Sequence, residues 1–172
     1  MKTEVKKHSE RQAISHFLEK IVVGAGVGRL SSQPNFEEKT LPQISRDLSL
    51  IAGQKPHVRQ AKKSISGFKV REGQIVGLSV TLRGRKMVDF FERLVKVVLP
   101  RVRDFKGIDT KAIDAGGALS IGIREQFVFP EVKPEQSPVS FSLGVSLVPK
   151  KKNREEALKE FREVGTPLKV KK

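Results

Sequence analysis

The stretch Gly53–Gly84, GQKPHVRQAKKSISGFKVREGQIVGLSVTLRG, sets the strongest limit on what this chain can become. It holds two short strand-like runs, His57–Ala61 and Leu78–Arg83, either side of a loop dense in Lys, Arg, Gly and Ser. In the second run Leu78, Val80 and Leu82 point one way and Ser79, Thr81 and Arg83 the other, the period of a half-buried strand. Neither run has enough apolar residues to form a core alone, so other parts of the chain must cover them. The loop carries Lys62, Lys63, Lys69 and Arg71 against one acid, Glu72. A loop this cationic is built to be neutralised by something acidic.

The rest of the chain reads as the scaffold for that stretch. Residues 1–18 are polar and form either a short helix or a basic arm, and Glu19–Val23 is a strand by its β-branched content. It runs into Gly24-Ala25-Gly26-Val27-Gly28, which has the glycine density of a phosphate cradle. The spacing is wrong for a dinucleotide fingerprint, and a loop rather than a helix follows, so a strand end or bulge is expected. Asn35–Ala52 is the clearest helix, with Asn35 and Glu38 as a capping pair, a buried stripe of Leu41, Ile44, Leu48 and Ile51, and Gly53 as its stop. A second helix spans Arg85–Leu99, its Phe90-Phe91 pair belonging to the core, and Pro100 ends it. Ala118–Ile123 and Val139–Val148 read as strands. A last helix, Asn153–Val164, is capped by Asn153 with Glu156 completing the box, and Lys169, Lys171 and Lys172 form a basic tail.

Helices interleaved with short alternating strands predict an α+β fold: a largely antiparallel sheet with helices packed on one face, the opposite face and the long basic loop being open to RNA. The expected organisation is residues 1–18 as the arm or helix, 19–168 as a single domain and 169–172 as the tail. A domain of 172 residues buries roughly 70% of its unfolded-chain surface.

Charge narrows the function. The formal net charge is +15 and the sequence pI about 10.3, which favours polyanion partners and disfavours homo-oligomers. From Gln54 to Lys111 there are fifteen Lys/Arg against five Asp/Glu, an excess of ten out of the chain's fifteen. The run TLRGRK (81–86) sets three cations around a glycine at a strand-to-helix junction, where a phosphate would be well received. The aromatics are all Phe, which argues against a stacking platform and for phosphate and 2′-hydroxyl contacts to a structured RNA. A glycine-rich cationic loop has little to pack against, so disorder of the loop is the expectation for the isolated protein.

Other chemistry finds no foothold. There is no cysteine, hence no disulfide, thiol nucleophile or thiolate metal site. The histidines, His8, His16 and His57, are far apart, and no carboxylate cluster has metal-ligand spacing. Asp109 and Asp114 read as turn caps. No P-loop, nucleophile elbow or zinc-protease helix is present, so neither an enzyme nor a cofactor is expected. No run reaches a membrane span, and the start MKTEVKKHSERQ lacks a signal-peptide core, so the protein is expected to stay where it is made.

Several motifs in consistent order carry a resemblance: GQKP (53–56), AKKSISGFKVREG (61–73), VTLRG (80–84), FFERL (90–94), PRVRDFKG (100–107) and GIREQFVFPE (122–131). From Glu19 to about Leu168 the chain resembles the bacterial-type large-subunit ribosomal protein L-five family. The resemblance implies a structural, non-catalytic role in a cytoplasmic or organellar ribosome: binding 5S rRNA, helping attach it to 23S rRNA in the central protuberance, and reaching P-site tRNA and the small-subunit protein S-thirteen. By motif, Gln54 and Thr81 fall where the family hydrogen-bonds 5S rRNA, and Lys62, Lys63, Arg83 and Arg85 are assigned to the same contact. Loop 64–76, with Gly67, Phe68, Lys69 and Arg71, matches the loop that touches P-site tRNA. Three departures are expected to alter RNA contacts: Gly24 where the family usually has Asn, a shorter segment before Glu19, and Ala118-Leu119 where Asn precedes an aromatic.

Overall fold

The computed structural model describes residues 2–169, with side chains from Ser9 onward. Lys171 and Lys172 of the expected basic tail, and the His8 side chain, lie outside the described residues. The elements in order are α1 (Lys2–Phe17), β1 (Leu18–Gly26), α2 (Leu41–Ala52), β2 (His57–Gln60), β3 (Ile75–Leu82), α3 (Gly84–Arg93), a short α4 (Leu99–Arg101), β4 (Leu119–Ile123), β5 (Leu143–Pro149) and α5 (Arg154–Glu163). The fold is α+β as expected, with one five-stranded antiparallel sheet in the order β2-β3-β1-β5-β4. Strand burial alternates in β1, β4 and β5, so one face is covered and the other is open. Of the two forms expected for the N-terminus, the helix is the one found.

The chain gathers into two compact units. The first comprises Met1–Val22, Thr81–Ile121 and Val145–Lys172. Its core joins Ile14, Phe17 and Leu18 to Phe90, Phe91, Leu94 and Phe161, with Phe17 and Phe161 meeting edge to face at 4.7 Å. Each such buried Phe contributes about 1.5–3 kcal/mol, and the Phe90-Phe91 pair is core, as its helical spacing predicts. Arg11 of α1 pairs with Asp89 of α3, and Lys150 donates to the Ser15 carbonyl at 3.0 Å. Asn153 caps α5 by accepting from the Glu155 and Glu156 N–H groups at 2.9 and 3.4 Å. The Glu156 carboxylate lies 3.4 Å from Lys151.

The second unit comprises Val23–Val80 and Gly122–Gly144. Ile44, Leu48 and Ile51 of α2 are buried with Phe36, Leu78, Val80, Phe129 and Leu143. Gly53 ends the helix at φ 65°, its N–H bonded to the Ser49 carbonyl at 2.8 Å, the left-handed stop expected there. Asp47 is buried on the same helix, with Gln43 at 3.4 Å and Arg46 at 3.5 Å.

Two helix boundaries differ from the sequence expectation, and a proline accounts for both. Asn35 is no cap: it lies at φ 61° with no side-chain cap bond, and Phe36–Thr40 forms a π-helical turn before α2. Leu94–Val98 forms a second π-turn after α3, and the helix continues through Pro100 to Arg101. In each case the wide turn closes two residues before a proline, Pro42 or Pro100. A proline ring collides with the carbonyl four residues back, and a wider turn moves that carbonyl away. The chain thus carries helix past prolines that would otherwise stop it.

The strand expected over Val139–Val148 begins only at Leu143. The Val139 carbonyl instead accepts from the side-chain amides of Gln126 and Gln43 at 2.9 and 3.1 Å, and the Phe141 N–H donates to Gln126 Oε1 at 2.9 Å. Two glutamines take the place of a neighbouring strand.

Candidate nucleic-acid interface

As far as Val80 the cationic stretch folds as an antiparallel hairpin in the second unit. His57, Val58 and Arg59 pair with Ser79, Leu78 and Gly77. Val58 therefore shares the covered face with Leu78, and His57 and Arg59 share the open face with Ser79. Arg59 Nε donates to Ser79 Oγ at 2.8 Å, which lays the guanidinium along that face. Gln54 is exposed directly after the turn at Gly53, with Lys55 exposed beside it and Pro56 buried beneath.

The loop between the strands has a defined internal structure. Ala61 exchanges hydrogen bonds with Gly73 and Gln74 at 2.9 and 2.8 Å, and Ile65 bonds Val70 in both directions at 2.9 and 3.2 Å. Ser64 Oγ accepts from the Glu72 N–H at 2.9 Å, and Gln74 Oε1 accepts from the Arg71 N–H at 3.0 Å. Gln74 also donates to Ser31 Oγ at 2.8 Å, and Ser31 donates to the Gly28 carbonyl at 2.9 Å, tying the loop to the turn that follows β1. These bonds give the loop an order that its composition alone does not promise. Lys69 takes a left-handed conformation, φ 53°, at the tip.

Lys62, Lys63, Gly67, Phe68, Lys69 and Arg71 are all exposed, and among the described residues the four cations have no ion-pair partner. Phe68 is 80% exposed and Ile65 50%, so two apolar side chains project among the charges. Ile65 was not among the expected site residues; an aliphatic residue placed between lysines in a loop is the signal that could have found it.

Thr81, Arg83 and Arg85 belong to the first unit, whereas Gln54, Lys62, Lys63 and the loop belong to the second. Thr81 is half-buried on the polar side of β3, with Leu82 fully buried behind it. Arg83 is the N-cap residue of α3 in extended conformation, and Gly84 turns the chain at φ 56°. The first turn of α3 has no side-chain cap and no acid, and Arg83 and Arg85 are exposed beside it. A helix start with no side-chain cap, flanked by guanidinium groups, suits a phosphate oxygen.

GAGVG ends as a strand: β1 runs to Gly26, and a turn and a short 3-10 segment follow. No helix opens from it, so the phosphate-cradle alternative has no structural counterpart. Asp109 and Asp114 act as turn caps, accepting from the Lys111 and Ala118 N–H groups at 2.9 and 2.8 Å. Among the described residues no cluster of His, Asp or Glu could hold a metal ion, and no helix is long and apolar enough to cross a membrane. What these surfaces offer is cations, a helix start with no side-chain cap and a bare aromatic, which is chemistry for binding a polyanion.

The similarities to known proteins agree with this geometry. The model of ribosomal protein L5 matches residues 16–71, and the model of that ribosomal family's C-terminus matches residues 75–168. A large ribosomal subunit protein uL5 from Chlorobium luteolum is 42% identical over 154 residues, covering 90% of this chain and 77% of its own. The uL5 proteins of Syntrophomonas wolfei and Pseudothermotoga lettingae are 44% and 43% identical over 88% of this chain, and 83% and 81% of theirs. With both family models matched in succession and relatives this close along most of its length, the chain belongs to the ribosomal protein L5 family.

Proposed function

We propose that this protein is a structural, non-catalytic constituent of the large ribosomal subunit that binds 5S rRNA and helps attach it to 23S rRNA. In this reading Gln54, Lys62 and Lys63 from one unit, and Thr81, Arg83 and Arg85 from the other, contact 5S rRNA. The hairpin loop 64–76 reaches P-site tRNA through Gly67, Phe68, Lys69 and Arg71, and the protein takes part in a bridge to the small-subunit protein S-thirteen. The observation that carries the reading is the hairpin itself: a loop held out by its own hydrogen bonds, with four exposed cations that have no ion-pair partner among the described residues.

The test is direct binding. Cognate 5S rRNA is expected to bind in the nanomolar range, and affinity should fall steeply as salt rises, because each neutralised phosphate releases counterions. Equal affinity for an unrelated RNA of the same length would refute specific recognition of 5S rRNA.

A further inference from the structure

We infer that a groove on the first unit, between α1, the π-turn after α3 and the end of α5, is a docking site for a basic segment of another protein. The groove encloses about 430 Å³, and all of its lining residues lie in that unit. Its apolar lining includes Ile14 and Phe91, both buried, and Val95 and Val164, both half-buried. Its charged lining is Glu10, Glu92 and Glu163 against one cation, Lys96. In a chain of net charge +15, this is a local reversal of sign. Val95 and Lys96 belong to the π-turn, a feature frequent at functional sites.

The carboxylates of the groove are short of donors. Lys96 Nζ is shared between Glu10 at 3.5 Å and Glu92 at 3.7 Å. Glu92 Oε1 is buried yet accepts no hydrogen bond. Arg11 stands 3.6 Å from the other Glu92 oxygen, but its guanidinium is committed to Asp89. Glu163 has no ion-pair partner among the described residues. It is also the last residue of α5, where the negative pole of the helix disfavours an acid. A cation entering the groove would satisfy Glu10 and Glu163 and release Lys96 to close on Glu92.

Apolar lining and acidic edge together select a lysine- or arginine-bearing peptide. The aliphatic stem of such a side chain packs on apolar surface while its charged end reaches a carboxylate. Lys96 already sets its ammonium between two glutamates of the groove, which is the mode an incoming side chain would repeat. Glu10 and Glu163 are exposed, so their charges meet a partner at the surface. The same charges repel an RNA backbone, which separates this groove from the cationic surfaces.

The experiment titrates capped hexalysine into the full-length protein free of RNA and follows the methyl NMR signals of Ile14, Val95 and Val164. Capped hexaglutamate and spermine serve as comparisons. Hexalysine should shift all three signals with micromolar affinity, and Glu10→Gln/Glu163→Gln should weaken it about tenfold. Glu163→Lys should abolish the shifts and keep or raise Tm, because a cation suits the end of a helix. Absence of shifts at about 1 mM hexalysine overturns the proposal, as does wild-type affinity in either variant. Spermine binding the groove as tightly as hexalysine would assign it to a polyamine instead of a protein segment. Hexaglutamate binding there equally well would remove charge as the basis of recognition. None of these outcomes involves 5S rRNA, so the RNA assignment stands or falls separately.

Discussion

Gln126→Ala should be among the most destabilising single changes in the second unit, and its size can be worked from three hydrogen bonds. Gln126 is 0% exposed. Its Oε1 accepts from the buried Phe141 N–H at 2.9 Å, and its Nε2 donates to the Val139 carbonyl at 2.9 Å. Truncation strands the Phe141 donor, at a cost of about 1–3 kcal/mol for an unsatisfied buried group. The Val139 carbonyl keeps the Gln43 amide at 3.1 Å, so losing its second donor costs under about 1 kcal/mol. The emptied side-chain volume adds about 1 kcal/mol or more. The sum, about 2–5 kcal/mol, lowers Tm by roughly 4–20 °C at about 2–4 °C per kcal/mol for a chain of this size. Differential scanning calorimetry of wild type, Gln126→Ala and Gln126→Met reads it directly, the methionine variant restoring volume without the hydrogen bonds. A Tm within about 2 °C of wild type for Gln126→Ala would refute the reasoning, since segment 139–141 would then not depend on the amide.

Other expectations follow from the interface and its supports. Lys62→Ala with Lys63→Ala should leave Tm unchanged and make the slope of log affinity for 5S rRNA against log salt shallower by about 1.4–1.8; an unchanged slope would remove both lysines from the contact. Lys69→Ala with Arg71→Ala should keep 5S rRNA binding intact while weakening tRNA retention in assembled ribosomes, and loss of 5S rRNA binding instead would reassign the loop. Gly117→Ala should lower Tm by about 4–16 °C. There the chain is at φ 81°, and a Cβ would sit 2.9 Å from Ala157 Cβ and 3.1 Å from the Asn153 carbonyl, combining left-handed strain with overpacking for about 2–4 kcal/mol. A thermal melt matching wild type would refute that close approach.

Much of the fold was legible because burial follows period. The stripe on α2, the alternation in β3 and the Phe pair on α3 are one-dimensional patterns, and the structure buries nearly the residues they select. Asn153 and Gly53 were legible as well, since a cap and a left-handed stop depend on local backbone alone. What failed depended on partners distant in sequence or on wider turns. The alternation of Val139-Ser140-Phe141-Ser142 reads as strand, yet its hydrogen bonds go to amides of Gln126 and Gln43, and no local pattern reveals that. Pro42 and Pro100 are helix breakers by rule, and only the π-turns before them show how helix persists.

The candidate site divides along the same line. Lys62, Lys63, Lys69, Arg71, Arg83 and Arg85 were legible as exposed cations, because charge excess needs no geometry. GAGVG is decided by geometry instead: it looks like a phosphate motif in sequence, yet β1 runs through Gly26 into a turn and a short 3-10 segment, and no helix opens from it. Gly77 is likewise explained only by the fold, since a Cβ there would come 2.9 Å from the Ala25 carbonyl oxygen of the neighbouring strand.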